Sequence, residues 1–245
     1  MLFLFTDFGY EGPYVGQMKA VLHLGLSPGV PVVDLMHDAP AWDPHAGAYL
    51  LAAYTAALPA GSTVLAVVDP GVGGSRRGLA VLADGRWFVG PDNGLLAPIV
   101  ARATSAQVFS LPEPPARAAP TFHGRDVFAP AAVTVQRGDR KGWVPVTPET
   151  MVGWAWPAEC DSVLYLDRYG NAVTGRRAAT VVERALLTVG EVTVGRARTF
   201  AEVPPGEAFW YANSSGLVEI AVHCGRADRL PGVARGAPVS WSAGG

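Results

Sequence analysis

Two short segments carry side chains suited to acid–base work at a polar centre. In VVDPGVGGSRR, residues 67–77, Asp69 opens a glycine-rich turn that ends on Arg76 and Arg77. Such a turn lets backbone approach a ligand, yet it lacks the Lys-Ser/Thr ending of a phosphate loop, so a P-loop nucleotide site is set aside. In TFHGRDVFAP, residues 121–130, His123, Arg125 and Asp126 stand close together. An imidazole, with an unperturbed pKa of about 6.5, is a natural proton acceptor there, and Asp126 is placed to cap the helix that follows. Asp7, Asp34, His37, Asp43 and His45 join Asp69 and His123 in an oxygen and nitrogen set that would suit Mg or Mn, hence a metal-dependent phosphoesterase. Each carboxylate taken singly also has the plainer use of capping a helix or closing a turn. No G-x-S-x-G, H-E-x-x-H or C-x-x-C pattern occurs, which removes the common serine hydrolase and zinc templates.

The elements that must hold these side chains alternate in type. Leu2–Phe5, Pro31–Leu35 and Thr63–Val68 read as strands, and Asp7, the Asp34/His37 pair and Asp69 fall at their ends, where an α/β sheet usually binds ligands. Val15, Met18 and Leu22 share one face of a helix over Tyr14–Leu24, and Gly47, Leu50, Leu51, Tyr54 and Leu58 repeat that spacing after Asp43-Pro44. Asp84-Gly85 between Leu79–Ala83 and Trp87–Gly90 signals a tight hairpin. Leu95–Ala103 and Val127–Arg137 are further helices, and LPEPPARAAP, residues 111–120, is a surface loop. The fold class is therefore α/β over residues 1–154, a sheet with helices on its faces. A smaller all-β domain follows over residues 159–245, with strands at Ser162–Leu166, Ala179–Val182, Glu191–Val194, Ala208–Tyr211, Leu217–Val222 and Pro238–Trp241. Asn93, Asn171 and Asn213 all stand beside turn residues, where an amide serves a turn or a ligand.

Composition narrows the partners. With 19 basic and 21 acidic side chains the net charge is −2, so no footprint for a nucleic acid is visible. Cys160 and Cys224 are too few for a disulfide framework or a thiolate cage, which fits a cytoplasmic chain. MLFLFTDFGY has no basic region and reads as a strand rather than a signal peptide. The uncharged stretch from Pro44 to Val68 is cut by Pro59-Ala60-Gly61-Ser62 into pieces shorter than the ~18 apolar residues of a span, so no membrane is expected.

TDFG, MKAVL, VVDLMHDAPAWDP, VVDPGVGGSRR, GPDNGLL, TFHGRDVFAP, DRYGN and NSSGLVEIAV occur in the order and spacing of the S-adenosylmethionine hydrolases, or hydroxide adenosyltransferases. The chain resembles that family nearly end to end; its superfamily includes the S-adenosylmethionine-dependent chlorinase and fluorinase. The resemblance implies an N-terminal α/β domain, a C-terminal β-barrel-like domain and a homotrimer with active sites between subunits. It implies S-adenosylmethionine as substrate, with no cofactor. The family's water-handling triad falls on Asp69, Arg76 and His123, with Arg77 adjacent as the other reading of the arginine. Asp7 falls on the ribose hydroxyls, Trp42 against the ligand, Asp167 near the methionine amino group, Asn171 on the adenine edge, and Ser214 and Ser215 on the ligand's polar ends.

The reaction so implied is displacement at the ribose 5′ carbon by water or hydroxide, releasing methionine. Halide transfer is the rival within the superfamily; as its pattern is described, the fluorinase has Tyr in place of Asp69 and Ser in place of Gly124. A carboxylate at position 69 would repel halide by roughly several kcal/mol in a low-dielectric site. The metal-dependent phosphoesterase and a non-catalytic nucleoside-binding module are the readings from other classes.

Overall fold

Runs with no polar interruption become the centre of the first sheet because both of their faces are covered. β1 (Leu2–Thr6) and, after α1 (Tyr14–Gly25), β2 (Val32–Met36) and, after α2 (Pro44–Tyr54), β3 (Thr63–Val67) pair in parallel, with β1 and β3 uninterrupted and fully buried and β2, which carries Asp34, half-buried at the sheet edge. β4 (Gly78–Ala83) and β5 (Arg86–Pro91) form the expected hairpin, with Asp84 and Gly85 both at positive φ, as a two-residue turn of that twist demands. α3 (Ala97–Arg102), β6 (Ala106–Ser110), α4 (Ala129–Arg137) and β7 (Val144–Val146) complete a seven-stranded mixed sheet of order β2-β1-β3-β5-β4-β6-β7. The computed structural model describes residues 1–243, in two units: Met1–Ala158, and a second beginning at Glu159.

Strand alternation sorts the helices onto opposite faces. Leu2, Leu4, Leu65 and Val67 pack with Met18 and Leu22 of α1 and Ala132 and Val133 of α4. On the other face Gly47 of α2 lies against Phe5, Val68 and Leu95. Asp43 caps α2 by accepting from Ala46 N (2.9 Å), and the helix stops at Tyr54, before the expected Leu58. β6 and β7 are strands the sequence does not announce. Val144–Val146 carries Pro145 and is accommodated because it lies at the sheet edge.

The second unit contains two antiparallel sheets. β8 (Cys160–Leu166), β9 (Ala172–Arg177), β12 (Ala208–Ala212) and β13 (Leu217–Val222) pair in the order β12-β13-β9-β8. β10 (Ala185–Val189), β11 (Val192–Val194) and β14 (Val239–Ala243) form the other, β11-β10-β14. Isolated bridges Ser162–Pro238 and Arg196–Trp210 link the sheet edges on both sides, giving a barrel-like ring around Trp210, whose indole donates to Ala185 O (3.0 Å). Ala179–Val182 is not a strand: Ala178–Thr180 forms a 3₁₀ turn and the strand lies just upstream, at Ala172–Arg177. Its polar Thr174 is fully buried yet satisfied by Val218 O (2.9 Å), an arrangement that only strand pairing supplies.

Gly94 is demanding in the first unit. It sits at φ +98°, and a Cβ there would lie 2.1 Å from the Trp156 ring. Gly94→Ala is expected to lower unfolding free energy by about 2 kcal/mol or more, measured by urea titration, because backbone strain and overpacking coincide.

Candidate active site

The β3 strand delivers Asp69 just beyond its end, and the turn Pro70–Ser75 carries the chain back to Arg76. Arg76 Nε donates to both carboxylate oxygens of Asp69 (3.0 Å each), and Nη2 makes a further close bond to Oδ2. The same Nη2 donates to His123 Nδ1 at 3.0 Å. Its guanidinium carbon lies 5.1 Å from the ring centroid of fully buried Phe128. Asp69, Arg76 and His123 therefore form one continuous chain with arginine in the middle. Arg77 points to other work: it is bonded to Asp92 through Nε (2.8 Å) and to Thr150 O (2.9 Å).

One glycine of the turn is required by the protein's own packing. Gly73 stands at φ +81°, and a Cβ on it would come within 2.5 Å of Pro120 O, so the turn can pass the proline-rich loop only without a side chain there. His123 enters from that loop, directly before a π-helical turn over Gly124–Phe128 that continues into α4. The turn places Phe128 beneath Arg76. Asp126 does not cap the helix: its carboxylate accepts from Ala119 N (2.9 Å) and pairs with Arg125, which holds it below the ordinary carboxylate range.

Burial and the Arg76 cation together lower the pKa of His123, against an opposing pull from Asp69 and Asp126. A guanidinium can only donate, so Nδ1 accepts and the ring is neutral with its proton on Nε2. These residues open into a cleft of about 300 Å³ lined by Asp7, Phe8, Tyr14, Trp42, Asp69, Phe122 and His123 among others. Burial raises the pKa of Asp7, opposed by the bond from Trp42 N (3.1 Å) and reinforced by Asp69. Trp42 adopts φ 59° and is 78% exposed, an aromatic side chain held out in a left-handed conformation. Sequence reasoning missed Phe8, Tyr14 and Phe122 as lining residues; their signal was the aromatic residue within TDFG, the one that follows it at position 14, and the one that precedes HGRD.

The remaining predicted residues lie in the second unit. Asp167 Oδ1 accepts from Asn171 N (2.8 Å), and Asn171 Nδ2 donates to Oδ2 (3.1 Å). Asn213 Oδ1 accepts from Ser215 N and Leu217 N (3.0 Å each), which shapes the turn bearing exposed Ser214 and half-buried Ser215. Glu219, buried beneath that turn, accepts from Asn213 Nδ2 (2.9 Å) and Tyr211 OH (2.5 Å); burial and this carboxylate raise the phenol pKa. Glu219 was legible as the one charge in LVEIAV. The proposed metal set does not assemble: Asp43 caps α2, His45 packs on Tyr49 and Trp156, and among the described residues no three such donors are grouped to hold an ion. No helix among those residues is long and apolar enough to cross a membrane.

A family model for the SAM hydroxide adenosyltransferase N-terminal domain matches residues 2–142, and one for the C-terminal domain matches residues 161–240. The chain belongs to the SAM hydroxide adenosyltransferase family. It is 42% identical to the (R)-S-adenosyl-L-methionine hydrolase of Thermus thermophilus, covering 97% of this chain and 98% of that protein. With the enzyme of the same name from Salinispora arenicola it shares 37% identity over 98% and 96% of the two chains. The crystal structure of an uncharacterized conserved protein from Thermotoga maritima superposes with a TM-score of 0.86 at 25% identity, covering 98% and 99%.

Replacing Arg76 by Ala removes a cation that depresses the His123 pKa, so that pKa should rise. Arg77→Ala should leave it in place. Following the His123 ring protons by NMR through a pH titration checks both, and a rise with Arg77→Ala instead would contradict the geometry.

Proposed function

We propose that this protein hydrolyses S-adenosylmethionine to adenosine and methionine, and the observation that carries the reading is the Asp69–Arg76–His123 chain at the cleft. The names of its relatives supply the substrate and point to the (R) sulfonium epimer. Water attacks the ribose 5′ carbon, the carbon–sulfur bond breaks with both electrons going to sulfur, and methionine leaves as a neutral thioether. Charge disperses along this path, so a dry pocket favours it over water. His123 Nε2–H is the donor that orients the attacking oxygen. Asp69 takes its proton: a carboxylate offers about four lone-pair sites, and three contacts from Arg76 leave one free. That suffices, because the protonated alcohol formed on attack is a far stronger acid than a carboxylic acid. Asp7 holds the ribose hydroxyls and Trp42 covers the ligand, with Asp167, Asn171, Ser214 and Ser215 completing the adenine and methionine contacts. No cofactor is needed. The negative charge of Asp69 disfavours halide as nucleophile.

The same reading makes the protein a cytoplasmic homotrimer whose sites are completed at subunit interfaces. Support comes from the family resemblance and from the division of the site residues between the two units.

Purified protein with S-adenosylmethionine and EDTA should yield adenosine and methionine by chromatography, and loss of activity restored by Mg or Mn would overturn the reading. Asp69→Ala and His123→Ala should each lower turnover about 100-fold or more. Protonating His123 would turn Nδ1–H against Arg76, so kcat/KM should fall on the acid side with a midpoint below the ordinary 6.5. A midpoint above it would contradict the neutral-ring assignment. For the interface, Asp69→Ala and Asn171→Ala chains co-refolded together should regain activity that neither has alone; a mixture shown by mass spectrometry to be mixed and still inactive would refute shared sites.

A further inference from the structure

Asp34, in the middle of β2 rather than at its expected end, and His37, just past the strand, are a pair that the catalytic reading leaves without a task, and neither lines the cleft. His37 is fully buried, with both ring nitrogens engaged: Nε2 lies 3.0 Å from Asp34 Oδ1 and Nδ1 lies 2.7 Å from Thr6 Oγ1. Lys19 Nζ donates to the other Asp34 oxygen (2.8 Å). Burial would raise the Asp34 pKa, but Lys19 and His37 outweigh it and keep the carboxyl below its ordinary range, so it is ionised and only accepts. Nε2 must therefore carry a proton. Thr6 Oγ1 also accepts from Phe8 N (3.2 Å), and His37 Nδ1 is the acceptor in range of its own hydroxyl proton. A proton on Nδ1 as well would strand that hydroxyl proton in a buried place. One direction satisfies every group: Phe8 N–H to Thr6, Thr6 O–H to His37, and His37 Nε2–H to Asp34, with Lys19 closing the far end.

We propose that His37 is a positioning residue for the active site, acting through the Thr6 hydroxyl to hold the turn that carries Asp7 and Phe8. The proposal rests on the hydrolase reading above, in which Asp7 holds the ribose. Asp7 lies between the two residues that this bond ties together, and the same turn is fastened by Gly9 N donating to His37 O (2.6 Å) and Ala39 N donating to Thr6 O (3.1 Å). Downstream, Asp7 accepts from Trp42 N, and the Phe8 ring packs edge-on against Phe122 beside His123. Losing the Thr6 hydroxyl frees Phe8 N and loosens a ground-state contact with substrate, which moves KM rather than the chemical step.

Steady-state kinetics on the full chain compare Thr6→Val, which keeps volume and loses the hydroxyl, with Thr6→Ser, which does the reverse. Thr6→Val should raise KM for S-adenosylmethionine about tenfold with kcat within about threefold, and Thr6→Ser should stay within about twofold in both. A purely packing role predicts the opposite ranking, since Ser leaves a cavity in a fully buried place and Val does not. A second measurement needs no variant: nitrogen NMR of the wild-type ring, above the ordinary histidine range, should find His37 protonated on Nε2, and a proton on Nδ1 overturns the inference. Wild type that releases no adenosine overturns the hydrolase reading and this inference with it. Active wild type in which Thr6→Val and Thr6→Ser have the same KM overturns the inference alone.

Discussion

A single guanidinium joins a carboxylate at the end of β3 to an imidazole 47 residues beyond the arginine in the chain, and the cleft is organised around that junction. Asp69 and Arg76 are both largely withdrawn from water, their side chains 4% and 12% exposed, which costs each charge its hydration. The forked contact to Asp69 and the aromatic face of Phe128 offset that cost. Once the cation is fixed, the imidazole has one compatible state: it accepts on Nδ1 and presents a proton on Nε2. The protonation pattern of the site is thus set by the placement of one arginine. Arg77, one residue on, is committed to Asp92 and Thr150 and does not share this role.

Local strain gathers around the same cleft. Trp42 holds a left-handed backbone with its ring exposed, and His123 is followed by a π-helical turn in which the N–H of Ala129 bonds back to Gly124 O. Both features cost energy and survive because neighbouring bonds leave little alternative. At Trp42 the restraint is the bond to Asp7. At Gly124 it is space, since a Cβ there would meet Phe8 at 3.1 Å and Phe122 at 3.4 Å. Asp7, Phe8 and Phe122 therefore connect the two strained segments.

In the second unit, order comes from a buried carboxylate rather than a buried cation. Glu219 gathers Tyr211 and Asn213, and Asn213 in turn shapes the serine-bearing turn through two backbone N–H groups. Asp167 fastens Asn171 through both backbone and side chain in the same manner. Asn171 and the backbone of Ser215 are each held by a polar partner within the unit, so their placement is set without a ligand.

The parallel core strands, the hairpin at Asp84-Gly85 and helix α1 were legible in the residues because local rules govern them: unbroken apolar runs, a two-residue turn, and apolar residues at helical spacing. The candidate site residues were named through motif order, as a resemblance. The strands β6 and β7 and the strand at Ala172–Arg177 were not legible, since their pairing depends on neighbours distant in sequence, and a buried Thr174 reads as surface until Val218 stands opposite. Asp126 looked like a cap and became a loop anchor because the π-helical turn moved the helix start beyond it. Residue types alone could name Asp69, two arginines and His123. Which arginine bridges, and therefore which nitrogen of His123 holds the proton, was decided only when Gly73 cleared Pro120 and Phe128 closed beneath Arg76, because hydrogen-bond direction is a property of three-dimensional neighbours and not of the chain.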